Sequence, residues 1–137
     1  MEPIFLTLSE VLEIHHDQIV RYGGSEGIRD LKLLKSALGM PSVTFGGNFL
    51  HTNIFEMASA YLFHIVNNHP FIDGNKRTGT VSALVFLQLN GYDFNSSEDE
   101  LVEIVIKVAS KKLGKSELTI FIQKWTNKIL GLGDQLF

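Results

Sequence analysis

Between His69 and Gly79 the sequence HPFIDGNKRTG crowds a histidine, a carboxylate, a Gly-Asn pair and two adjacent cations into one turn before an apolar helical run. Gly74 and Asn75 are expected to open a helix. A helix N-terminus presents unpaired backbone N–H groups and the positive end of the macrodipole, which together make an anion site. A glycine there lets the backbone approach an anion closely. Lys76 and Arg77 add two cations, and the arginine's planar fork suits phosphate oxygens. Asp73 would repel a bound phosphate unless a divalent cation bridged the two, which is how magnesium is usually held, by one or two carboxylates plus the substrate's own phosphates. A metal nucleotide fits this set. His69 is placed to take a proton from an attacking hydroxyl at neutral pH, Pro70 stiffens the loop, and Phe71 is expected to anchor it in the core. A plainer reading is that HPF ends one helix, DGN caps the next, and the cations lie in solvent. Surface cations, however, give no reason for a histidine, an acid, a glycine and an arginine to share one helix start.

The elements on either side must hold that turn. Apolar residues recur mostly at three- and four-residue spacings, so the chain is expected to be all-α, a bundle of about six helices. A capping box from Thr7 to Glu10 opens a first helix through Val11, Leu12, Ile14, Ile19 and Val20, stopped by Gly23-Gly24. Asp30 caps a short helix carrying Leu31, Leu34 and Leu38, which ends at Gly39 with Pro41 beyond. Residues 43–45 and 48–50 flank Gly46-Gly47, a pair able to take positive φ, which predicts a short exposed β-hairpin. After Asn53, IFEMASAYLFHIVNN is apolar nearly all round and reads as a buried central helix ending near Asn67-Asn68. NKRTGTVSALVFLQLN is the second central helix, stopping at Gly91, and the HPFIDG loop joins the two. A further capping box, Ser97 to Glu100, opens a helix through Val102, Ile106 and Ala109 that Gly114 closes. Ser116 then caps a last helix that turns Phe121, Ile122, Trp125 and Ile129 inward and ends at Gly131. With no repeat, low-complexity tract or linker, residues 1–137 read as a single domain.

Composition narrows the partners. Hydrophobic residues at 45% against 20% charged suit a folded soluble chain rather than a disordered one. A formal net charge of -3 supplies no global positive field, so nucleic acid is not an expected partner. The absence of cysteine excludes disulfide frameworks, thiolate nucleophiles and cysteine zinc sites, and agrees with a reducing compartment, the cytoplasm. MEPIFLTLSE lacks a basic n-region, and no apolar run approaches the roughly 18 residues of a membrane span; neither export nor membrane insertion is expected.

The segment from His69 to Arg77 resembles the signature of the Fic/Doc superfamily, H-x-F-x-D/E-G/A-N-G/K-R, with His69, Phe71, Asp73, Gly74, Asn75, Lys76 and Arg77 each meeting it. Similarity to the Doc, or death on curing, toxin branch runs from about His15 to Asn95 and includes HDQIVRYGGSEGIRD and ALVFLQLNGYDF. The resemblance implies a small helical bundle with a β-hairpin flap, and a transferase using ATP and magnesium. It implies that His69 deprotonates a hydroxyl on a target protein and that Asp73 holds magnesium. Gly74 and Asn75 would bind nucleotide phosphate through backbone and amide groups, Arg77 would neutralise the transferred group, and Phe71 would be structural.

Lys76 separates two chemistries within that resemblance. Classical Fic proteins carry glycine there and transfer AMP. In the Doc branch a lysine accompanies a reversed nucleotide, so that the γ-phosphoryl group is moved, and a protein kinase is expected here, with elongation factor Tu or another translation factor as target. Pro70, Gly74 and Gly79 follow the Fic pattern instead, which keeps AMP transfer as the alternative; a catalytically silent binding module is a third reading. The inhibitory pattern Ser/Thr-x-x-x-Glu-Gly/Asn of many Fic proteins is missing, since Glu13 is followed by Ile14 and Glu100 by Leu101, so restraint by a separate antitoxin protein is expected. Arg21 and Tyr22, in the Arg21-Tyr22-Gly23-Gly24 segment, could line a nucleotide or antitoxin groove or merely end a helix. Phe45 and Asn48 of the hairpin could touch the target. His15, His16 and His51 read as surface or satisfied histidines, Trp125 and the phenylalanines as core, and the five-residue spacing of His64 and His69 is wrong for a zinc pair on one helical face.

Overall fold

A computed structural model describes residues 2–130. They form six α-helices and two small two-stranded sheets: α1 (Leu8–Tyr22), α2 (Leu31–Gly39), β1 (Thr44–Phe45), β2 (Asn48–Phe49), α3 (Ile54–Asn68), α4 (Asn75–Leu89), β3 (Tyr92–Phe94), α5 (Glu98–Ala109), α6 (Lys115–Lys124) and β4 (Thr126–Lys128). Helix starts follow local side-chain chemistry. Thr7 and Glu10 form the reciprocal capping box of α1, and Asp30, Asn53 and Ser97 each accept from the backbone N–H three residues on. The hairpin turns on Gly46 and Gly47 at φ 60 and 84, the left-handed pair that a tight two-residue turn requires. No helix of the described residues is long and apolar enough to cross a membrane.

All six helices contribute to the buried core, around Tyr61, Met57, Ile65, Phe86 and Leu87 of α3 and α4. Gly79 lets these two helices come close: a Cβ there would stand 3.1 Å from Val66 Cγ2 and 3.3 Å from the Leu62 carbonyl. That approach sets the C-terminus of α3 beside the N-terminus of α4, and the histidine motif spans the gap.

The C-terminal quarter departs from the periodic reading. Helix α5 ends at Ala109, well before Gly114, and Lys111 turns at φ 61. Gly114, in extended conformation, is the N-cap of α6, with its N–H bonded to Glu117 Oε1 at 3.3 Å, so Ser116 lies inside the first turn rather than capping it. Helix α6 also stops at Lys124. Residues 126–128 pair antiparallel with Tyr92–Phe94, Thr126 opposite Phe94, while Asn95 N–H bonds the Trp125 carbonyl and Ile129 N–H the Gly91 carbonyl. The available edge of β3 and the low helix propensity of Thr126 and Asn127 outweigh the helical spacing of Ile129, which is half exposed rather than turned inward. The expected stop at Gly131 lies outside the described residues.

Candidate active site

His69 is the C-cap of α3. Its N–H still reaches the Ile65 carbonyl at 3.2 Å, but its backbone sits in the left-handed region, φ 50 and ψ 52. That conformation costs a non-glycine residue about 1–2 kcal/mol, and residues before proline favour extended backbone instead. The surroundings must therefore hold it. The side chain is exposed, and its ring nitrogens make no hydrogen bond among the described residues, which leaves them free to meet a hydroxyl.

Phe71 is fully buried and stacks on His15, ring centroids 3.9 Å apart and planes 6° from parallel. Burial of an aromatic of this size contributes about 1.5–3 kcal/mol, so the loop is pinned at its middle. The buried Asn75 carboxamide spans the same turn, accepting from Phe71 N–H and donating to the Phe71 carbonyl, each at 2.9 Å. One amide N–H and the amide oxygen are thus committed to the loop, and the backbone N–H is open to an anion.

Gly74, at φ 77, opens α4 with no side chain to cap it. Thr78 N–H is the first to find an intrahelical carbonyl, at Gly74, so the N–H groups of Asn75, Lys76 and Arg77 stay open. Lys76 and Arg77 are exposed, and neither forms an ion pair among the described residues. The Arg77 guanidinium lies over the Tyr22 ring, 4.5 Å from its centroid.

Asp73 Oδ2 accepts from Ser25 N–H at 3.1 Å and Oδ1 from Gly74 N–H at 2.8 Å. These two bonds, helped by the charges of His15 and Lys76, hold the carboxyl below its ordinary 3.8 despite some desolvation. The site therefore keeps one ionised carboxylate beside an anion-binding helix start. This donor set fits magnesium, which needs few protein ligands when phosphates supply the rest; among the described residues no cluster of three His, Cys, Asp or Glu forms a closed cage.

Two clefts flank the motif. The larger, about 530 Å³, runs from Tyr22, Asp73 and Arg77 along an apolar wall that includes Val81, Leu101, Val102 and Ile106. The smaller, about 260 Å³, contains His69, Ile72, Val66 and Ala109. Asp73, Gly74, Asn75 and Lys76 line both and so form the partition between them. Arg21 lines neither; it is held by Asp17 at 2.8 Å. Phe45 and Asn48 also line neither, standing exposed on the hairpin.

Sequence reasoning left several positioning groups unassigned. His15 is a satisfied histidine, yet its Nε2 donates to the Asp73 carbonyl at 2.8 Å as its ring covers Phe71. Its place on the buried stripe Val11, His15, Gln18, Ile19 was a readable signal. His16 is the surface kind, bonded to Glu26. Gly24 is more than a helix stop, because a Cβ there would lie 2.7 Å from Asp73 Oδ2. Ser25 N–H and Arg29, in a loop without periodicity, carried no such signal.

The family model described as Fic/DOC family matches residues 5–87. The protein named Toxin Doc from Mycolicibacterium smegmatis is 32% identical over 94 residues, 64% of this chain and 72% of that protein. Protein kinase doc from Escherichia phage P1 is 31% identical over 109 residues, 80% of this chain and 85% of that protein.

Proposed function

The chain belongs to the Fic/DOC family, and from that premise we propose that it is a single-domain, Doc-like cytoplasmic toxin that transfers the γ-phosphoryl group of ATP to a serine or threonine hydroxyl of a target protein. The observation that carries this reading is the partition at the start of α4. Three open N–H groups, Lys76 and one ionised carboxylate meet there, with Arg77 on the larger-cleft side and His69, whose ring makes no hydrogen bond among the described residues, in the smaller cleft. The nucleotide lies in the larger cleft with its terminal phosphate on the partition, and the target hydroxyl enters from the His69 side. His69 takes the hydroxyl proton as the oxygen attacks phosphorus, the bond to the β–γ bridging oxygen breaks, and ADP leaves. The helix start and Arg77 stabilise charge on the transferred group. Asp73 would hold magnesium, which when bound would supply further charge neutralisation.

Lys76 favours phosphoryl over AMP transfer, because it fills the partition where AMP-transferring relatives have glycine. Two features of the opposite pattern have local explanations. Gly74 is favoured by its positive φ and by Ile19 Cδ1, which a Cβ would meet at 3.1 Å, and Gly79 by the packing of α3 on α4. Neither bears on nucleotide direction. The intact His69, Asp73 and Arg77 set argues against a silent binding module. The two toxin and kinase names among the relatives support a toxin restrained by a separate antitoxin, and the resemblance points to a translation factor such as elongation factor Tu as target. Incubating the purified chain, magnesium and ATP with elongation factor Tu, followed by peptide mass mapping, tests the reading. A phosphoryl increment on a serine or threonine, lost with His69→Ala, is expected. An adenylyl increment, or none, would overturn it.

A further inference from the structure

Arg29 lies in the loop between α1 and α2, outside both clefts, yet it grips the residue that the proposed chemistry depends on. Its Nε donates to the His69 carbonyl at 2.6 Å and its Nη2 to the Asn68 carbonyl at 2.9 Å. These are terminal carbonyls of α3, without onward helical donors and at the negative end of the dipole, where a cation is favoured. The backbone N–H groups of Arg29 and Asp30 then both donate to the Pro70 carbonyl, at 2.7 and 3.0 Å. Carbonyls on both sides of the His69–Pro70 peptide are thereby fixed from one short segment.

We propose that Arg29 is a positioning residue that holds His69 in its left-handed backbone conformation and so aims the imidazole into the smaller cleft. This inference rests on the transferase reading above. The need for such a clamp follows from the conformation itself. His69 has a side chain, stands directly before Pro70, and adopts φ 50, so its place at the helix end favours this state locally while its side chain and the following proline oppose it. The His69 N–H bond to Ile65 continues the helix and does not fix the peptide that leaves it. Only the fork of Arg29 engages the His69 carbonyl among the described hydrogen bonds. A lysine cannot reproduce the fork, since its ammonium is a point charge on a flexible stem.

The test compares Arg29→Ala and Arg29→Lys with the unaltered chain in phosphoryl transfer, together with the φ of His69 from NMR scalar couplings. For Arg29→Ala, kcat is expected to fall by about 10²-fold, the loss typical of a misplacement near 1 Å, with KM for ATP unchanged because Arg29 touches neither cleft. Millimolar guanidinium should restore part of the rate where sodium chloride of equal ionic strength does not. Arg29→Lys should fall between the two. His69 φ should be positive in the unaltered chain and return to negative values in Arg29→Ala. A wild-type kcat in Arg29→Ala, or an unaltered His69 φ, overturns the proposal. The φ measurement decides it even if the unaltered chain transfers nothing, an outcome that would sink the transferase reading alone.

Discussion

His15 and Phe71 lie flat against each other, ring centroids 3.9 Å apart, and the same imidazole donates to the Asp73 carbonyl at 2.8 Å. Helix α1 thus grips the motif at its apolar anchor and beside its carboxylate. His15→Ala leaves a carbonyl unpaired and uncovers Phe71, so it is expected to lower stability by about 2 kcal/mol and to weaken transfer. His15→Phe keeps a ring on Phe71 and should recover more of the stability than of the transfer rate. Urea unfolding alongside the transfer assay checks both, and an unchanged urea midpoint for His15→Ala would contradict this role.

Gly23 and Gly24 make a matched pair. Both have positive φ, but a Cβ at Gly23 meets nothing within 4 Å while one at Gly24 would sit 2.7 Å from Asp73 Oδ2. Each alanine substitution should cost about 1 kcal/mol for its backbone. Only Gly24→Ala should also displace the carboxylate, raising the magnesium concentration needed for half-maximal transfer. Equal magnesium requirements in the two variants would show that the close approach does not matter.

Much of this geometry was legible. The caps at Thr7, Asp30 and Ser97, the two glycines of the hairpin and the α3–loop–α4 unit all follow from local side-chain chemistry. The stop of α6 was not, because the strand pairing of Thr126 with Phe94 is a contact between distant segments that overrides helical spacing. Within the site, the charged residues announced themselves by crowding. The clamp made by Ser25 and Arg29 did not, since Ser25 acts through its own backbone N–H and Arg29 on backbone carbonyls, and neither leaves a mark on residue type.

In the proposed reaction Lys76 sets which group is transferred. Lys76→Gly should abolish most γ-phosphoryl transfer and open the partition to the reversed nucleotide, so that AMP transfer appears. Measurement of both labels with this variant decides whether the lysine sets direction; undiminished phosphoryl transfer would remove it from the mechanism.

A separate cluster predicts acid sensitivity. Lys115 Nζ lies 3.1 Å from His51 Nε2 and 3.0 Å from His64 Nε2 and donates to both neutral rings. Burial and then the Lys115 charge push His64 down to about 4 and lower His51 as well. A histidine with a depressed folded pKa binds more protons when unfolded, so stability is complete above about 6.5, its unfolded value, and is lost as pH falls toward the folded one. Urea midpoints should decline across that interval, and His64→Gln should flatten the slope. Lys115→Met should flatten it only in part, because burial is the larger cause. A His64→Gln slope matching the unaltered chain would show that this ring is not the group responsible.

In the proposed reaction the γ-phosphoryl group lies on the α4 start within reach of His69. The most direct measurement incubates the protein and magnesium with a bacterial lysate and ATP labelled on either the γ- or the α-phosphate, with His69→Ala as control. Label entering protein from the γ-phosphate alone, and lost in the control, is the predicted result. Label entering from the α-phosphate alone would contradict it and assign the site to AMP transfer.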